Sequence, residues 1–208
     1  MKRPADKGLL VVLEGVDGAG KSTQIRGLAE RLATAGMPHV ISREPTDGPH
    51  GRRLRESATR GRLPPAEELE TFLADRRQHV AELILPSLAD GKVVVLDRYY
   101  FSTAAYQGAR GFDWEDILRR NEAFAPEPDV VFWLELPPTV SQERIGIRGE
   151  AVNDFERLDA LRAVADIYAQ LAGRYSFFHR LDARRTAEEL LEEMWQSIQS
   201  RRAFCGVN

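Results

Sequence analysis

Blocks of apolar residues and blocks of mixed polarity alternate along this chain. Five short stretches read as strands: Leu9 to Glu14, His39 to Arg43, Lys92 to Asp97, Asp129 to Leu136 and Phe177 to Leu181. The apolar run of Leu9 to Leu13 and those opening at Val93 and Val130 lack polar alternation, the pattern of strands covered on both faces. Between them, apolar positions recur at helical spacing. Ile25, Leu28, Ala29 and Leu32 predict a helix that stops at Gly36. Leu69, Phe72, Leu73, Val80, Leu83 and Ile84 predict one long helix over Glu67 to Leu85, ended by Pro86. Asp113 caps a short helix, Leu158 to Leu171 is amphipathic, and Thr186 with Glu189 forms a capping box for a C-terminal helix. The arginines at 52, 53, 55, 60 and 62 make a basic, helical segment whose side chains read mostly as a solvated face. Strands alternating with helices predict an α/β domain built on a parallel sheet.

Composition narrows this without redirecting it. At 208 residues, 43% hydrophobic and 29% charged, the chain suits one globular domain, residues 1–208, with a flexible start at 1–7 and a frayed tail at 203–208. A net charge of -3 gives no global pull toward nucleic acid or a membrane surface. Cys205 is the one cysteine, which excludes an internal disulfide and a cysteine metal cluster. No apolar run approaches signal-peptide or membrane-spanning length, so a cytoplasmic protein is expected.

Chemistry enters directly after the first strand. Gly15, Val16, Asp17, Gly18, Ala19, Gly20, Lys21 and Ser22 fit G-x-x-x-x-G-K-[ST], the loop that wraps polyphosphate, and Thr23 continues into an amphipathic helix. Such a loop turns its N–H groups inward and adds the positive end of the helix dipole. Lys21 is placed to reach the terminal phosphates, and the Ser22 hydroxyl to hold Mg²⁺. Strand, loop and helix in this order predict the three-layer phosphate-loop NTPase fold, a five-stranded parallel sheet with helices on both faces. Asp97, closing a buried strand, is the second Mg²⁺ candidate; a helix cap or an ion pair with Arg98 is the competing account.

A second polar set follows the loop. Phe72, Arg76 and His79 share a helix face, which could clamp a planar base, although periodicity alone favours packing for Phe72 and snorkelling for Arg76. His79 reads as structural. Phe101 to Gly111 mixes hydroxyls, Tyr106, Gln107 and glycines, a composition suited to a polar ligand and poor as core. Arg144 and Arg148 stand four apart in a polar, glycine-bearing segment, 142–156, that could close as a lid over phosphates; a plain surface helix is the alternative. The chain has no N-K-x-D segment for a GTPase and little room for the transmission element of a mechanical ATPase. Together with Arg43, Glu44, Arg55, Arg98 and Ser102, this set suits a small anionic acceptor bearing an aromatic base.

These residues resemble the thymidylate kinases. The likeness is carried by Leu13 to Thr23, Arg43-Glu44-Pro45, Phe72-Leu73-Ala74-Asp75-Arg76 with Gln78-His79, Asp97-Arg98-Tyr99, Ala105-Tyr106-Gln107-Gly108 and Pro128-Asp129. The resemblance implies transfer of the γ-phosphoryl of ATP to dTMP with Mg²⁺. It assigns Phe72 to stacking on thymine, Arg76 to its edge, Gln107 to support of the base pocket, Tyr106 and Asp17 to the sugar, and Arg55 and Arg98 to the acceptor phosphate. Because the loop has Gly18 and Ala19 after Asp17, the arginine at the transferring phosphoryl is expected from Arg144 or Arg148. A homodimer is implied by the same resemblance. Two departures stand out: Thr46-Asp47-Gly48 replaces the usual Gly-Gly-Thr, and Asn153-Asp154-Phe155-Glu156 replaces Asp-Arg-Phe-Glu. They leave open a kinase of another nucleotide or nucleoside, or a nucleotide binder without efficient transfer.

Overall fold

The computed structural model describes residues 8–146 and 154–204, of which 145, 154–157, 203 and 204 are described by backbone alone. Residues 147–153 of the expected lid, Arg148 and Asn153 among them, and the expected flexible start lie outside the described residues.

Among the described residues, β1 (Leu9–Glu14), β2 (His39–Arg43), β3 (Val93–Asp97), β4 (Val130–Glu135) and β5 (Phe178–Asp182) form one sheet in the order β2-β3-β1-β4-β5. Every pairing is parallel. The three inner strands are buried almost residue for residue, which is why their sequences lack polar alternation. The edge strands β2 and β5 are half exposed and accordingly carry His39, Arg43, His179 and Arg180. Register fixes what meets at the carboxyl edge: Leu13 lies opposite Asp97, and Asp97 opposite Arg43. The loop after β1, the Asp97-Arg98 pair and the Arg43-Glu44 pair therefore leave the sheet side by side, at the edge where parallel α/β sheets hold ligands.

Helices cover the sheet. α1 (Lys21–Thr34) follows the phosphate loop, and α2 (Pro49–Arg60) and α3 (Pro65–His79) follow β2. The long helix expected over 67–85 is interrupted and does not end at Pro86. A π-turn at Val80–Ile84, in which the Leu85 N–H reaches the Val80 carbonyl, leads into α4 (Leu85–Ala89). Proline lacks an N–H and crowds the carbonyl four residues back, and the wider turn accommodates both effects. α5 (Tyr100–Gly108) corrects the expectation for 101–111: Tyr100, Phe101, Ala104 and Ala105 are core residues, and the polar side chains belong to a buried helix. α6 (Trp114–Glu122) is capped by Asp113 as expected. α7 (Pro138–Gly146) contains the start of the lid segment, and α8 (Asp154–Arg174) packs on α5. α9 (Ala187–Phe204) opens on the Thr186–Glu189 box, and its backbone continues helical through the first two residues of the expected frayed tail. No helix of the described residues is long and apolar enough to cross a membrane.

Candidate active site

The phosphate loop forms because glycine stands where other residues would not fit. At Gly15 (φ 139°) a Cβ would come within 2.6 Å of the Leu134 carbonyl, and Gly20 (φ 94°) turns the chain into α1 in a left-handed conformation. Lys21, buried to 7% exposure, folds back over the loop and donates to the Gly15 and Val16 carbonyls at 2.9 and 3.0 Å. Burial, with Arg98 as the next cause, pushes its pKa down to about 8.

Beside the loop lies a cavity of about 340 Å³ whose walls include Lys21, Ser22, Arg55, Asp97 and Arg98. The Asp97 Oδ1 atom is buried with no hydrogen-bond partner. Arg98 pairs instead with Asp17, so the competing ion-pair account of Asp97 is not what the structure holds. A carboxylate oxygen left open beside the Ser22 hydroxyl, with substrate phosphates to complete the shell, fits Mg²⁺, a hard ion bound by few protein oxygens.

A second cavity, about 240 Å³, shares Asp17, Glu44 and Arg98 with the first and is walled by Phe72, Tyr106 and Gln107. Phe72 is half-buried there. Arg76 also lines it, yet its guanidinium is 1% exposed and heavily engaged. It donates to Glu44 Oε2 from Nε at 2.7 Å, to Asn121 Oδ1 at 2.7 Å and to Thr103 Oγ1 at 3.0 Å. Glu44 Oε1 also accepts from His79 Nδ1 at 2.9 Å, and the other His79 nitrogen meets Ser42. His79 is thus part of the scaffold, as its sequence context suggests. Glu44, expected at the substrate, chiefly holds Arg76. Gln107 is 1% exposed; its amide donates to Glu68 and its oxygen accepts from Arg110, which suits support of the pocket.

Arg98 is where the two cavities meet. Among the described residues it is the non-glycine residue with positive φ, 69°, a conformation costing a side chain roughly 1–2 kcal/mol. Its guanidinium donates to Asp17 Oδ1 at 2.6 Å and to Ser102 Oγ at 3.0 Å, and lies 5.1 Å from the Tyr106 ring centre. Arg55 donates to the Pro45 and Thr46 carbonyls and, with Arg43, to Asp47 Oδ1. The two arginines hold the Asp47 carboxyl below its usual range, Arg43 first. Asp47 is therefore a tie between β2 and α2, and it lines neither of the two cavities above. Arg144 donates to the Gly18 and Ala183 carbonyls, which places its guanidinium over the phosphate loop.

The sequence patterns did not single out Glu14, Thr103, Asn121, Tyr168 or Glu68, all of which bond to site residues. Glu14 alone carried a signal, a carboxylate closing an apolar strand as Asp97 does.

A phosphate-loop cradle opening through shared walls into a cavity with an aromatic and arginine lining defines a nucleotide kinase of the phosphate-loop class. The profile of the family described as thymidylate kinase matches residues 13–194. A thymidylate kinase of Desulfotalea psychrophila is 51% identical over 170 residues, 81% of this chain and 84% of that protein. Those of Xanthomonas euvesicatoria pv. vesicatoria (48% over 188 residues, 89% and 81%) and Xylella fastidiosa strain M12 (49% over 164 residues, 79% and 75%) are similarly close. The chain belongs to the thymidylate kinase family.

Proposed function

We propose that the protein phosphorylates dTMP, moving the γ-phosphoryl of ATP to the 5′-phosphate of dTMP to give dTDP and ADP. The observation that carries this reading is the sharing of Asp17 and Arg98 by the phosphate-loop cavity and the Phe72 cavity, which brings a donor phosphate and an acceptor phosphate against one guanidinium.

ATP binds with its phosphates along the N–H groups of residues 15–23, and Lys21 swings from its two carbonyl partners to the β- and γ-phosphates. Thymine lies on Phe72, framed by Gln107 and Arg76, with Tyr106 and Asp17 toward the sugar. Arg98 and Arg55 grip the acceptor phosphate, with Ser102 bonded to Arg98 and Arg43 sharing Asp47 with Arg55, while Glu44 serves the substrate by holding Arg76. An oxygen of that phosphate attacks the γ-phosphorus as the bond to the ADP oxygen breaks. The acceptor oxygen is already anionic, so no general base is needed, and rate comes from positioning and charge neutralisation. Ser22 and Asp97 would hold Mg²⁺, which supplies neutralisation of the phosphate oxygens when bound. Arg144, with Arg148 beyond it, is assigned to the transferring phosphoryl. Residues 142–156 act as a lid on a single domain; the protein is cytoplasmic and a homodimer by family likeness. Asp47 is engaged by Arg43 and Arg55, so its charge is paired with these arginines rather than set unpaired against the acceptor phosphate. A coupled assay tests the proposal: ADP release is expected only when dTMP is present, and release that ignores dTMP overturns it.

A further inference from the structure

Glu14 is fully buried, and no step above uses it. Its carboxylate does three things at once. Oε1 accepts the backbone N–H groups of Tyr99 and Ser102 at 2.9 and 3.2 Å, standing in for the side-chain cap that α5 lacks. Oε2 accepts the Tyr168 hydroxyl of α8 at 2.8 Å. The same Oε2 accepts the Ser102 hydroxyl.

The third contact bears on Arg98. Ser102 Oγ also lies 2.9 Å from the Tyr168 hydroxyl, which itself donates to Glu14. Burial pushes the Glu14 carboxyl up in pKa while Ser102, Arg98 and Tyr168 favour its ionised form, and that form only accepts, so both hydroxyl protons are drawn into the Glu14 cluster and away from Arg98. The Ser102 oxygen is thereby left with its lone pairs for the Arg98 Nη1 donor, 3.0 Å away. With Asp17 taking the Nη2 arm at 2.6 Å, the guanidinium is fixed at both ends. Fixing matters at this residue because its backbone stands in the left-handed region, a conformation that persists only where surrounding contacts hold it.

We propose that Glu14 is a positioning residue for Arg98, acting through the Ser102 hydroxyl. The inference rests on the reading of Arg98 as the grip on the acceptor phosphate. A carboxylate at position 14 draws the Ser102 proton toward itself; an amide there can donate to Ser102 instead and compete with the Arg98 Nη1 donor for the two Ser102 lone pairs. A cap of α5 alone would need the acceptor oxygen of Glu14 and not its charge, since an amide carbonyl also caps N–H groups.

The test is a double-mutant cycle in the full chain with Glu14→Gln, Ser102→Ala and the pair, with Arg98→Ala as reference. Each single change is expected to lower kcat/KM for dTMP by about 10–100-fold while the KM for ATP stays within about threefold. The pair is expected to lose no more than about threefold beyond the worse single change, since both cut one chain of contacts. Native dTMP kinetics in a folded Glu14→Gln enzyme, or losses that multiply in the pair, overturn the proposal. Should Glu14→Gln not fold, Ser102→Ala decides: it leaves the buried carboxylate in place, and native dTMP kinetics there overturn the relay. An Arg98→Ala enzyme that still turns over dTMP contradicts the grip itself, whereas an inactive Arg98→Ala beside a native-like Glu14→Gln contradicts the Glu14 role alone.

Discussion

Arg98 and Asp17, 81 residues apart, join at 2.6 Å and tie the end of β3 to the phosphate loop where the two cavities share a wall. Arg98→Ala should therefore reduce dTMP turnover by roughly 100-fold or more, the loss typical of one preorganised donor at a developing charge. Asp17→Asn keeps the volume but not the charge, and should raise the KM for dTMP. Steady-state kinetics over both substrates check the two changes.

Phe72 and Arg76 line the same cavity but differ in what else they do. Phe72→Ala should raise the KM for dTMP about 10–100-fold, from a stacking contribution of about 1–3 kcal/mol, and leave the melting temperature nearly unchanged. Unaltered dTMP kinetics would remove the ring from the base site.

Arg76→Ala should act on stability first. It strips the Glu44 carboxylate of a buried partner, a loss of about 3–5 kcal/mol for such pairs. Chemical denaturation measures it. A midpoint equal to that of the parent would show that the contacts to Glu44, Asn121 and Thr103 are energetically idle.

Lys21 makes nucleotide binding depend on pH. Its free-state pKa is pushed down to about 8 by burial, and bound polyphosphate raises it again. Below pH 8 the lysine is protonated in both states and ATP affinity is flat on this account. Above pH 8 binding takes up a proton, so affinity falls as pH rises. Calorimetry at pH 8.5 in two buffers of different ionisation enthalpy should detect uptake of up to about three-quarters of a proton; no uptake would contradict the depressed value.

The inner strands and the phosphate loop were legible because each has a local cause: continuous apolar runs for β1, β3 and β4, and glycines for the turns around Lys21. Other features depend on partners far along the chain. The helix through Pro86 is carried by a π-turn that side-chain periodicity does not report. The composition of α5 read as poor core because Ser102, Thr103 and Gln107 are polar, but Glu14, Arg76 and Glu68 satisfy them in the interior. Arg76 and Glu44 are 32 residues apart, and only the parallel register of β2 and β3 with α3 behind them makes the pair visible.

Arg144 donates to the Gly18 carbonyl of the phosphate loop, the contact behind its proposed role at the transferring phosphoryl. Arg144→Ala should lower kcat more than about tenfold with a much smaller change in ATP affinity. An unchanged kcat would assign that role to Arg148.

The most direct measurement follows the product itself. ³¹P NMR of the protein with ATP, Mg²⁺ and dTMP, and in parallel with dUMP, UMP, dCMP and dGMP, should show the β-phosphate of a diphosphate product growing fastest with dTMP. The absence of dTDP above background, or faster product formation with another acceptor, would contradict the account.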